Sequence, residues 1–298
     1  MLKIVDGIPF IGQATDRFRV KAFDLGHGHI EASASRVIEW QEADWSPEYL
    51  ADVLDAIARA KAEEDQAERE QLNRKRAARR AKTRVRRLCK AAGLDTLLTL
   101  TYRGAQPDLA VMKAHVKEFN RRMLALKFPD GRPALPGFRF VAGFELQERG
   151  TWHAHLATRD IPSTLPGVDW RSFNVIRAVW RGVTGQLQGN IDVQRRKRNS
   201  AKSSAQVAAY IAKYIGKTFE DLAAGRAERY AVYGIRGDSV PEAVDLGVVD
   251  NLHQAITITY ELLMEAQMVS TARLDQWKDW FFVAGELPRG GPKSIRCV

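Results

Sequence analysis

The chain has 298 residues, 45% apolar and 9% aromatic, which describes a globular protein and excludes a disordered one. Its 46 Lys and Arg outnumber its 36 Asp and Glu for a net charge of +10, a balance that points to a polyanionic partner, nucleic acid being the commonest. Two cysteines, Cys89 and Cys297, give neither metal spacing nor a disulfide framework. No apolar run approaches the ~20 residues of a membrane span, and the opening Met-Leu-Lys-Ile-Val-Asp-Gly-Ile-Pro has no signal-peptide core, so a soluble cytoplasmic protein is expected.

Residues 1–45 mix short apolar runs with glycines and hold one paired histidine, His27 and His29, which reads as structural or surface because nothing nearby supplies a nucleophile. Ser46-Pro47, a good N-cap and first helical residue, opens a long helix predicted to about Ala92, with Gly93 as its stop. Its second half is basic at ten of the seventeen residues from Arg74 to Lys90. The next segments alternate. "TLLTLTY" (96–102) reads as a strand and "PDLAVMKAHVKEFNRRMLAL" (107–126) as an amphipathic helix starting at Pro107. "FRFVAGFELQ" (138–147) and "TWHAHLA" (151–157) read as strands, 169–184 as a helix, 189–196 as a short strand and 204–221 as a helix. This order predicts an α+β fold, a mainly antiparallel central sheet with helices on one side. The predicted division is an N-terminal extension over 1–92 carrying the charged helix, a central domain over 93–235 and a helical C-terminal tail over 236–298.

In "TWHAHLA" the strand period places His153 and His155 on one face. If Glu148-Arg149-Gly150 is a three-residue turn ending in a left-handed glycine, Gln147 pairs with Thr151, Glu145 with His153, and Gly143 with His155. Directly opposed side chains have Cβ atoms ~5 Å apart, within reach of a shared cation. Two imidazoles and a carboxylate with open positions suit a divalent ion that polarises a bound oxygen. A two-residue turn would instead point Glu145 away.

The helix over 204–221 contains Tyr210-Ile-Ala-Lys213 followed at once by Tyr214-Ile-Gly-Lys217. Residues four apart share a helical face, so the phenols stack one turn apart with a lysine three residues beyond each. A phenol ionises near pH 10, and a nearby ammonium or a metal-polarised phosphate favours attack by its phenolate.

The succession "LLTLTY", "WHAHLA", "YIAKYIGK", over roughly residues 94–220, resembles the three motifs of HUH endonucleases, the rolling-circle replication initiators of phages and plasmids. The tandem tyrosines are similar to those of initiators from small single-stranded DNA phages and of filamentous-phage replication proteins. The resemblance implies an HUH nuclease domain: a central antiparallel sheet with the histidines on a middle strand and the tyrosines on a helix packed nearby. It implies that His153 and His155 bind Mg²⁺ or Mn²⁺, with Glu145 where some members supply an acidic ligand. Tyr210 and Tyr214 match the nucleophiles, Lys213 and Lys217 their accompanying lysines. Origin DNA would be nicked through a 5′-phosphotyrosine with release of a 3′-OH. Which tyrosine acts first stays open.

Arg79, Arg80, Arg84, Arg86 and Arg87 on the basic helix, and Arg195, Arg196, Lys197 and Arg198 before the tyrosine helix, are candidate DNA contacts. Trp152 and Trp170 are candidates for stacking on unpaired bases, with burial the blander alternative. No GxxxxGK[ST] occurs, so unwinding and synthesis would fall to a host helicase and polymerase. The competing readings are a transposase or relaxase of the same superfamily, and a basic DNA-binding regulator without catalysis.

Overall fold

A computed structural model of the protein describes residues 1–63, 66–159, 161–194, 208–211, 213, 230–236, 240–265, 269–274 and 279–286. The fold is α+β with antiparallel sheets. The chain divides into two compact units, Met1–Asn73 with Pro241–Val298, and Arg74–Val240.

The first unit is built on strands β1 (Leu2–Val5), β2 (Ile8–Asp24) and β3 (His29–Glu42). In β2, Phe18, Val20 and Ala22 are buried while Arg19 and Lys21 between them are exposed, the period of a half-covered sheet. His29 is wholly buried in β3 and His27 sits in the preceding turn at φ 50°, in keeping with a structural reading of that pair. Helix α1 (Pro47–Glu63) starts at the expected cap, Ser46 Oγ accepting from the Tyr49 amide at 3.2 Å.

The tail predicted as helical is mostly not. Only Leu252–Glu265 forms a helix there, and it packs on the core of Phe18, Val20, Ile30, Ala32, Phe281 and Val283. Val244–Val249, Val269–Leu274 and Trp280–Glu286 are strands, the last pairing with β3 from Trp280↔Ser35 to Glu286↔His29. Short apolar runs do not distinguish a helix from a buried strand by periodicity. The partner strand, some 250 positions earlier in the chain, decides.

The second unit holds a five-stranded antiparallel sheet. Helix α2 (Gln66–Ala91) enters it from Arg74. Strands β4 (Thr96–Thr101), β5 (Phe140–Leu146), β6 (Trp152–Thr158), β7 (Asn190–Gln194) and β8 (Tyr230–Tyr233) lie in the order β7-β4-β6-β5-β8, so the histidine strand β6 is central. Strand β8 was not foreseen. One sheet face is sealed by α3 (Leu109–Ala125) and α4 (Ser172–Thr184). Met112, Val116, Phe119 and Met123 of α3, with Ile176 and Trp180 of α4, pack on Leu98, Leu100, Phe140, Phe144, Ala154 and Leu156. Helix α3 begins after Asp108 rather than at Pro107, because the Asp108 carboxylate accepts from the Ala110 amide at 2.7 Å and caps it.

Helices were expected on one side only, yet the other face is partly covered as well. Val85, Leu88, Cys89 and Ala92, at i, i+3, i+4 and i+7 of the basic helix and its C-terminal turn, pack with Leu97, Val141, Ala157, Ala208 and Ile211. Gly93, at φ 63°, ends α2: its amide bonds the Lys90 carbonyl and the Leu94 amide the Cys89 carbonyl, at 3.0 and 2.9 Å. Cys89 is a core residue whose thiol burial pushes up to about 12.

Replacing Leu88 by Ala should cost about 2–5 kcal/mol, the range for emptying a buried leucine site. Urea unfolding followed by circular dichroism measures it.

Candidate functional site

The strand pair β5–β6 is joined as the three-residue turn requires. The Gln147 amide bonds the Thr151 carbonyl at 3.1 Å, the Gly150 amide bonds the Gln147 carbonyl at 2.8 Å, and Gly150 adopts φ 72°. The register puts Glu145 opposite His153 and Gly143 opposite His155. On the far side of β6, Thr99 is the partner of His155 and Asp192 in turn the partner of Thr99. These residues share the sheet face opposite the aromatic core.

The side chains do not follow the register pairing. Glu145 Oε2 reaches diagonally to His155 Nε2 at 3.0 Å, not to His153. Thr99 Oγ1 stands 3.2 Å from His155 Nδ1. His153 Nε2 instead receives an Arg149 terminal nitrogen at 3.2 Å, and the same nitrogen donates to the Tyr102 carbonyl at 2.7 Å. A carboxylate can only accept, so a neutral His155 carries its proton on Nε2 and accepts from the Thr99 hydroxyl at Nδ1. A guanidinium can only donate, so His153 accepts at Nε2.

Both imidazoles are held neutral. His153 falls to about 4, first through burial and then through the positive charges of His155 and Arg149. His155 is also lowered by burial, with the Glu145 carboxylate opposing the shift. Neutral imidazoles with a carboxylate beside them suit a divalent cation in kind, and the Thr99 hydroxyl could orient His155 from outside by accepting at Nδ1. Among the described residues no three His, Cys, Asp or Glu side chains converge as a metal cage. The reason is visible: Glu145 is bonded to one imidazole and Arg149 covers the other.

Residues 208–211 and 213 are helical, and they bring Tyr210 to this face. Its ring centroid lies 6.1 Å from that of His155, edge on at 88°. Ala208 and Ile211 enter the core with Val85 and Leu88, so the apolar side of this turn anchors it while Tyr210 remains 37% exposed. Lys213 is exposed. Tyr214, Lys217, Arg195, Arg196, Lys197 and Arg198 lie outside the described residues. On α2, Arg79, Arg80 and Arg84 are exposed and Arg86 and Arg87 half-buried. Trp152 is buried, its Nε1 donating to the Pro107 carbonyl at 2.9 Å, which removes it as a stacking platform, whereas Trp170 is exposed.

Residues 95–219 match the family model of the replication-associated proteins of the ORF2 and gene II protein type. The matched segment is under half of the chain and runs from β4 through the histidine strand to the tyrosine helix. No curated protein and no solved structure matches the chain. No described helix is long and apolar enough to cross a membrane.

Sequence reasoning missed Thr99, Asp192 and Arg149. Thr99 carries a signal only once β4 is known to pair with β6. Arg149 lay in the turn whose length already fixed Glu145.

Because burial lowers the folded-state pKa of His153 to about 4 from 6.5, the unfolded chain binds a proton between those values that the folded chain refuses. Its contribution to stability is therefore complete above pH 6.5 and is lost as pH falls toward about 4. The melting temperature should drop over that window, and less steeply in His153→Gln; thermal melts at several pH values check the difference.

Proposed function

We propose that this protein initiates rolling-circle replication as an HUH-type endonuclease, nicking and rejoining single-stranded origin DNA through tyrosine. The observation that carries the reading is the Tyr210 ring standing against the His155 imidazole, two residues read as nucleophile and ligand that are 55 positions apart in the chain. The match of 95–219 to a replication-associated family supports it over a transposase, relaxase or non-catalytic regulator.

In this reading, the phenolic oxygen of Tyr210 forms a bond to the scissile phosphorus as the bond to the 3′ oxygen breaks. The phenol gives up its proton and the departing 3′ oxygen gains one, leaving a 5′-phosphotyrosine and a 3′-OH for a host polymerase, with a host helicase opening the duplex. Because the phosphodiester energy is kept in the tyrosine linkage, a 3′-OH can later displace Tyr210 and reseal the strand. Tyr214, one helical turn on in the sequence, would supply the second cut. Lys213 and Lys217 would favour phenolate or balance phosphate charge. His153, His155 and Glu145 would hold Mg²⁺ or Mn²⁺, which when bound draws charge from the phosphate oxygens. The arginines of α2 extend the positive surface away from the core they anchor, suited to a DNA backbone.

Incubation with labelled single-stranded DNA flanking the gene, Mn²⁺ present, should give a protein–DNA band that survives denaturing electrophoresis. Tyr210→Phe should lower its yield by about tenfold, equivalent to about 1.4 kcal/mol of barrier, and Tyr210→Phe/Tyr214→Phe should abolish it. An adduct persisting in the double variant removes the tyrosines from the chemistry. Arg80→Ala/Arg84→Ala should weaken single-strand binding and reduce the slope of log affinity against log salt by about one per lost phosphate contact. Fluorescence anisotropy across a salt series reads both.

A further inference from the structure

The turn joining β5 to β6 also delivers a charge. Arg149 folds back over its own hairpin: Nε donates to Gln147 Oε1 at 3.1 Å, and one terminal nitrogen bridges the Tyr102 carbonyl and His153 Nε2. A guanidinium has donors only and stays protonated, so this contact runs one way, from Arg149 to the imidazole. The lone pair that accepts it is the same lone pair a cation ligand must offer. The two uses exclude each other. Arg149 is at the same time exposed to solvent, so an incoming strand can reach it.

We infer that Arg149 couples DNA binding to cation binding at this site. Without a phosphodiester its guanidinium occupies the His153 lone pair and its charge opposes a divalent ion. A phosphodiester draws it into a two-oxygen contact, which frees His153. The inference rests on the reading of His153 and His155 as ligands. Charge-assisted bonds from the planar fork of an arginine to phosphate oxygens are stronger than one bond to a neutral imidazole, so the phosphate wins the arginine. Once Arg149 is neutralised, its repulsion of the ion falls. By linkage, strand and ion then each tighten the binding of the other. The consequence is a site that arms itself only when its substrate is present.

The test is Mn²⁺ binding to the full chain, read from the paramagnetic resonance signal of the free ion, with and without a single-stranded oligothymidylate. The parent carries Tyr210→Phe/Tyr214→Phe so that no strand is cut. It is compared with the same protein bearing Arg149→Gln, which retains an N–H for the Tyr102 carbonyl, or His153→Ala. In the parent the oligothymidylate should tighten Mn²⁺ binding by about tenfold, within the usual range of coupling between sites. Arg149→Gln should bind Mn²⁺ about tenfold more tightly than the parent without DNA, the scale of a like-charge repulsion near a surface, and gain less than about twofold on adding DNA. Equal affinities of parent and Arg149→Gln without DNA, or an undiminished DNA effect in Arg149→Gln, overturn the coupling role. His153→Ala isolates the underlying assignment: if it leaves Mn²⁺ binding unchanged, the cation reading falls with the coupling. If it abolishes Mn²⁺ binding while Arg149→Gln behaves like the parent, the coupling alone falls.

Discussion

A single left-handed residue, Gly150 at φ 72°, sets the register on which the whole site depends. It closes a three-residue turn, and that turn pairs Glu145 with His153 and Gly143 with His155. Side chains alternate between faces along a strand, so a one-residue slip would send Glu145 into the aromatic core and His155 opposite a bulky neighbour. The same turn puts Arg149 within reach of His153. Acid, base and cation of the site thus come from one hairpin of about a dozen residues.

The two faces of the central sheet answer different physical demands. One is closed by Trp180, Phe119, Tyr102 and the aliphatic side of α3, and it supplies the burial that keeps the sheet rigid. The opposite face is covered only in part, by α2 and the tyrosine turn. Imidazoles buried there lose hydration and stay neutral. Their polar atoms are not abandoned, because Thr99, Glu145 and Arg149 take them up. Neutral, oriented nitrogens on a stiff strand are the condition for binding a cation in a fixed place.

The basic helix shows how charge can be attached to such a site without entering it. Its apolar residues at helical spacing dock into the same small core as Ala208 and Ile211. Arg79, Arg80 and Arg84, on its other sides, are left in solvent. The packing that positions Tyr210 therefore also positions a row of arginines. Separating an N-terminal extension at residue 92 from the domain that follows misses this, because the compact unit begins at Arg74.

Much of the site was legible in residue order because its determinants are local. Turn length, strand period and the four-residue helical repeat each act over a few positions, and together they place His153, His155 and Glu145 on one sheet face and Tyr210 on a helix. What tertiary structure alone decided involves partners far apart in the chain. Thr99 meets His155 across 56 positions, Tyr210 reaches the imidazole from another element, and Trp280–Glu286 becomes a strand because β3 offers it an edge. Glu145 binding diagonally to His155, with Arg149 on His153, was likewise beyond reach: side-chain choice within a given register depends on which charges compete for each nitrogen, and that competition exists only once the chain is folded.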